Sequence, residues 1–406
     1  MDNIPNEYRV YTKCTNTGGG VSTNYDAFGR FRVSNPVTLF DSQNRYKPNE
    51  KFYSNVLNGG SVTYVSNESS VLLNVTTTLN SYAARESKLV FNYQPGKSLL
   101  VLATFVMDSP KTGLVQRAGY FGSDNGYFVQ MSGAVLSIVE RSIGVDTPVP
   151  QSQWNADRLD GTGPSRFVLD MTKSQVFFMD IEWLGVGSVR TGFVINGVFV
   201  TAHVFNHANF LPRTYMTTAC LPIRYEIHNT DGSSGTMKHI CATVISEGGY
   251  EPKEQLYCSI GPYTGLVLTA VGVLVPLVSI RLARGRLDSI VVLKQLNIAV
   301  ATNNDLAEWR LVLNATTLGG ATWTADTDGS TNVEIDTSAT TVSGGRIIEV
   351  GYSQTGSINT SLQPSFFEGQ IGRNSFTQTS DTLTLCAIPL SSNPKVFWSF
   401  AWAELI

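Results

Sequence analysis

The 406-residue chain is too long for a single compact core and predicts two or three domains. Hydrophobic residues make up 42%, enough for a sizeable interior, while charged residues reach only 15%, well below the roughly 25% usual for soluble domains. A formal net charge of -3 leaves no electrostatic footprint for nucleic acid, so no nucleic-acid partner is expected.

The densest basic cluster, Arg281, Arg284 and Arg286, reads as a solvated turn or a subunit contact. Cys14, Cys220, Cys241, Cys258 and Cys386 are scattered without a CxxC pair, which predicts reduced thiols and a chain that folds in a cytoplasm. They and the four histidines miss zinc-ligand spacings, and no cofactor is expected. The opening MDNIPNEYRVYTK lacks the apolar stretch of a signal peptide. The most apolar run, 265–280, is interrupted by Gly272 and Pro276 and reads as buried strands, not a membrane span.

Residues 1–35 form a separate region. TNTGGGVST has nothing to bury and predicts an extended arm. Beyond it, helical periodicity is nearly absent, and short β-branched or aromatic runs recur between Gly, Asn, Asp, Ser and Pro. Strands are expected at 61–66, 71–78, 88–93, 98–107, 126–131, 134–140, 175–182, 189–195, 198–205 and 223–228. Asn196-Gly197 is the strongest hairpin signal, because both residues tolerate the positive φ of a type I′ turn. The pattern breaks near EGGYEPKEQLYCSIGP, which marks a boundary at about 250. A second β-rich block follows, ending in KVFWSFAWAELI, where Val396, Trp398, Phe400 and Trp402 share one parity and one sheet face. The expected fold is all-β: an arm over 1–35, a β-sandwich over 36–250 and a smaller β-sandwich over 251–406.

The segment DAFGRFRVSNPVTLFDSQNRY resembles an opening found in virion proteins of tailed phages and large algal viruses, with the pattern FGR-x-RVS-x-P-x-TLFDS. WNADRLDGTG, DIEWLGVGSVRTGFVINGVFV and NFLPRTYMTTACLPIRYEI resemble the same proteins, so the likeness spans about 25–230. It implies a particle component, capsid-associated or in a tail or fibre. The stretch 88–230 also resembles a concanavalin-type jelly roll, which by itself implies no function.

Candidate sites compete with plainer readings. Asp180 and Glu182, two apart on a strand, project to one face. Retaining glycosidases of the concanavalin type carry E-x-D-x-x-E; this chain reads D-I-E-W-L-G, with Gly185 where the last acid belongs. The plainer reading pairs these acids with Arg190 or Lys173. His203 and His207 would stand about 13 Å apart on a strand, too far to share a metal, and read as buried or interface histidines. No GxSxG occurs, and GTGPS lacks the ending of a phosphate loop. SDNG, NTDGSSG and ADTDGS offer calcium-type oxygens but suit ordinary turns. Trp154 and Trp183 are expected to pack, leaving Trp323 as the candidate glycan contact.

The expectation is a non-enzymatic virion structural protein, assembled in a host cytoplasm with other virion proteins and with copies of itself, a trimer among the options. Phe28, Arg30, Phe31 and Arg32 would dock the arm on a neighbour. Two alternatives remain: an adhesin for a host surface glycan, and a carbohydrate-active enzyme.

Overall fold

The computed structural model describes residues 35–251, 255–301, 305–325, 331–354, 356–360, 369–391 and 393–405. The arm residues Phe28, Arg30, Phe31 and Arg32 lie outside them. Pro36–Ile406 forms one compact unit.

Fifteen strands build its first part: β1 (Val37–Gln43), β2 (Phe52–Leu57), β3 (Ser61–Val65), β4 (Ser70–Val75) and β5 (Tyr82–Ser87). Next come β6 (Leu99–Val106), β7 (Leu114–Phe121), β8 (Gly126–Ser132), β9 (Val135–Ser142) and β10 (Val145–Pro150). The last are β11 (Gln175–Ile181), β12 (Val189–Ile195), β13 (Val198–Phe205), β14 (Ile223–Asn229) and β15 (Gly235–Ser246). One sheet runs β13-β12-β11-β6-β15-β4-β3, with β1 also on β15; the other runs β10-β9-β8-β7-β14-β5-β2. Every ladder joining them is antiparallel.

Alternation drives the stacking. Along β6, Leu99, Val101, Ala103 and Phe105 are buried and their neighbours half-buried. They meet Ala118, Tyr120, Ile138 and Tyr225 of the opposite sheet in one continuous core. This is the expected concanavalin-like jelly-roll sandwich. Asn196 and Gly197 have φ of 52° and 78° and join β12 to β13 as the sequence predicts.

A second core lies between a sheet ordered Gln255–Ile260, Lys395–Leu405, Ile290–Val300, Gly356–Thr360 and a six-stranded sheet centred on Val275–Leu282 and Thr382–Pro389. Val396, Trp398, Phe400 and Trp402 are all buried there, on the parity read from the sequence.

One expected strand is absent. KLVFNY (88–93) forms no ladder. Val90 packs instead with Ile290, Val292 and Leu405 of the second sandwich, its carbonyl accepting from Gln370 Nε2 at 3.1 Å. The segment is apolar because it fills the seam between the sandwiches, a burial that strand propensity cannot distinguish from sheet. β2, β5 and β15 were missing from the sequence reading; β5 carries Arg85 and Glu86, both buried.

Candidate functional site

The chain brings Asp180, Glu182 and Arg190 together at the end of the eight-stranded sheet. Antiparallel pairing places Asp180 opposite Arg190, and the guanidinium forms an ion pair with the Asp180 carboxylate. Burial holds the Asp180 carboxyl above its usual range; Arg190 opposes that shift and the nearby Glu182 charge adds to it. Glu182 is exposed, and its carboxylate accepts from the Ser188 amide at 3.4 Å.

The turn after β11 is tightly constrained. Gly187 donates to the Trp183 carbonyl at 2.7 Å, and a Cβ on Gly187 would stand 2.3 Å from the Glu182 carbonyl. Gly185, at the position of the missing third acid, has φ of 78°. A side chain there would be strained, so this backbone is built for glycine rather than for a catalytic glutamate.

These residues line a cavity of about 520 Å³ with Tyr93, Lys97, Ser188 and Asn206. Tyr93 and Lys97 also line a cavity of about 710 Å³, with Asn92, Trp183, Tyr250, Asp288 and Asn332 on its walls. The two form one groove from the sheet end to the seam. Trp183 meets Tyr93 edge-to-face at 5.7 Å, its indole N–H donating to the Met216 carbonyl at 3.3 Å. The Tyr93 hydroxyl accepts from the amides of Trp183 and Leu184. Amides, hydroxyls and carboxylates beside fixed aromatic rings make a hydrogen-bonding surface with stacking edges. Tyr93 escaped the sequence reading because its segment looked like a strand.

The remaining sequence candidates lie elsewhere. His203 and His207 are buried and do not share a site. His207 Nε2 lies 2.7 Å from Glu140 Oε2 and Nδ1 lies 2.6 Å from the Gly187 carbonyl, with the ring stacked on Tyr215 at 3.8 Å. The His203 Nδ1 takes the Asn155 amide at 3.3 Å. Trp154 is buried and donates to the Val149 carbonyl. Trp323 is half-buried, with Arg281 4.1 Å above its ring. Arg281 is itself paired with Glu334 at 2.7 Å, so one face of the indole is covered. Arg284 and Arg286 sit in the same turn, Arg286 bonding the Thr331 carbonyl and Asn332. In NTDGSSG the Asn229 oxygen accepts from the amides of Asp231 and Ser233, closing the loop on itself. Residues 326–330 of ADTDGS lie outside the described residues. Cys220, Cys241, Cys258 and Cys386 are free thiols.

No protein-family profile matches the chain, and no curated protein matches it. Solved structures share parts of its shape. A protein of unknown function from Shewanella oneidensis MR-1 is 8% identical, covers 54% of this chain and 91% of its own, and has a TM-score of 0.35. The carbohydrate recognition domain of Emp47p is 12% identical over 50% of this chain and 90% of its own, with a TM-score of 0.31. A carbohydrate esterase of the Shiga toxin-encoding bacteriophage phi24B is 10% identical over 52% of this chain and 100% of its own, with a TM-score of 0.34. At such identities no residue role carries over.

Proposed function

We propose that the chain is a structural component of a virus particle that works by assembly, packing against further copies of itself and other virion proteins. The observation that carries this reading is an unguarded sheet edge. Gln255–Ile260 and Leu266–Val267 form the outer edge of the five-stranded sheet, both pairing inward with Lys395–Leu405. Leu256, Tyr257, Tyr263, Leu266, Val267, Val271 and Val273 are exposed along this segment. No Asp, Glu, Lys or Arg occurs from Gln255 to Ile280. Edges of chains that remain monomeric carry charges or prolines that block pairing; an apolar, uncharged edge suits a neighbouring subunit. Low charge density over the whole chain also lowers the desolvation cost of covering its surface. The resemblance of Asp26–Tyr46 to virion proteins supplies the setting.

Quantitative mass spectrometry of gradient-purified particles tests the setting, with the chain expected in fixed ratio to the major shell protein. Light scattering on the purified chain tests the edge: an oligomer is expected, and Tyr257→Lys with Val267→Lys should reduce it to monomer. A chain absent from particles, and monomeric at every concentration, would refute the reading.

The groove favours a second reading, recognition of a glycan by the same virion protein. Trp183 and Tyr93 provide the stacking edge, and Asn92, Lys97, Ser188 and Asn206 the polar contacts. Neither reading assigns a bond-breaking role to Asp180, whose carboxylate Arg190 already engages.

A further inference from the structure

Arg85, on β5, is 2% exposed. Among the described residues no carboxylate pairs with it, and its bonds run to neutral acceptors. Nη1 reaches Asn44 Oδ1 at 3.4 Å and His239 Nδ1 at 3.2 Å, and Nη2 donates to the Asn49 carbonyl at 2.8 Å. Its Nε is buried with no partner. Burial lowers its pKa to about 10, which leaves it cationic at neutral pH. An uncompensated buried charge costs several kcal/mol, in the range of ~3–5 when a partner is missing.

The neighbours repeat the pattern. His239 is fully buried between Tyr225, stacked at 4.0 Å, and Phe52, at 4.8 Å. A guanidinium can only donate, so His239 Nδ1 is the acceptor and the ring hydrogen sits on Nε2. That Nε2 also lacks a partner. Ser42 Oγ is a third orphan. Ser42 is buried in alternation with Phe40 and Asn44, on the side of the strand that faces Phe52 and Arg85. Three of the six orphaned buried polar atoms among the described residues thus belong to one cluster, and all three can donate.

Water would satisfy the donors and leave the charge; a carboxylate would cancel the charge, yet none is there. A divalent anion would exceed the single positive charge in a shell that is otherwise aromatic. We propose that Arg85 Nε, His239 Nε2 and Ser42 Oγ bind a small monovalent anion of the halide class inside the first sandwich. Its place would be structural. Asn44 and Asn49 belong to the strap between β1 and β2, which carries the chain from one sheet to the other, so the anion would fasten that strap by fixing the guanidinium beneath it.

The test uses the full chain in sodium chloride or sodium gluconate at matched ionic strength. Chloride should raise the melting temperature along a saturating curve, which gluconate, too large to enter, should not reproduce. Ser42→Ala should shift the chloride midpoint several-fold upward with little loss of fold, and Arg85→Met should abolish the response. A crystal grown in bromide should show an anomalous peak within hydrogen-bond reach of Arg85 Nε. Equal melting in both salts, a chloride response unchanged by either substitution, or a water in place of the peak would overturn the proposal.

Discussion

Arg373 Nη1 and Glu86 Oε1 meet at 2.6 Å across 287 positions of sequence, joining the two sandwiches through a pair withdrawn from water. Glu86 also pairs with Arg224 at 3.3 Å and accepts from Ser375 at 2.6 Å, while Arg373 reaches Asp288 at 2.9 Å. Nearby, Tyr53 and Asn314 each donate to Asp381 at 2.7 Å. These contacts make two cores one body.

Arg373→Ala strands Glu86 inside the seam, with an expected loss of about 3–5 kcal/mol in urea unfolding. Because the cost falls on the joint, calorimetry should resolve two transitions in the variant against one in the parent. A single unshifted transition would show that the seam contributes nothing to cooperativity.

Acid should weaken the first sandwich in two windows. Burial, and then the Arg85 charge, hold His239 well below its usual pKa. The unfolded chain therefore takes up a proton that the folded chain refuses. Stability falls as pH drops below about 6.5, by up to ~1.4 kcal/mol per unit. His239→Gln should flatten that slope in pH-dependent urea titrations.

Glu226 gives the second window. Burial opposes its ionisation, but Arg224 and Arg117 overcome that and pull it down to about 2. Its depressed pKa contributes stability above the ordinary carboxylate range, lost as pH falls from about 4.3 toward 2. Glu226→Gln should remove this lower step and leave the one near neutrality intact.

Two glycines should respond differently to alanine. Gly197 has φ of 78° with open space where a Cβ would stand, so Gly197→Ala costs about 1 kcal/mol of backbone strain. At Gly119, inside a sheet, a Cβ would lie 2.3 Å from the Tyr127 carbonyl. Gly119→Ala should cost more than Gly197→Ala in thermal melts, because β7 and β8 must separate.

Glycan recognition, if present, should depend on the groove and not on the covered indole. On a glycan array, Trp183→Ala should abolish binding while Trp323→Ala retains it, with far-UV spectra confirming the fold. The reverse order would move the site to the second sandwich.

Much of the all-β character is local and was legible in the residues. Period-two runs such as LLVLATFV and VFWSFAW, and the Asn196-Gly197 turn, follow from neighbour sterics and side-chain alternation. The same reading placed Asp180 and Glu182 on one face and gave Arg190 as a partner. It missed β5, because buried Arg85 and Glu86 look like surface residues until Arg373, Arg224 and His239 arrive from far along the chain. It misassigned 88–93, because an apolar seam and an apolar strand have the same composition.

Sequence alone determined which stretches are extended, where the chain turns and which parity is apolar, since these depend on each residue and its near neighbours. Only the tertiary structure decided which charges are buried, that two cores are clasped into one unit, and that Tyr93 and Trp183 share a groove. Those outcomes are set by partners a hundred or more positions away, whose desolvation and pairing energies have no counterpart in local pattern.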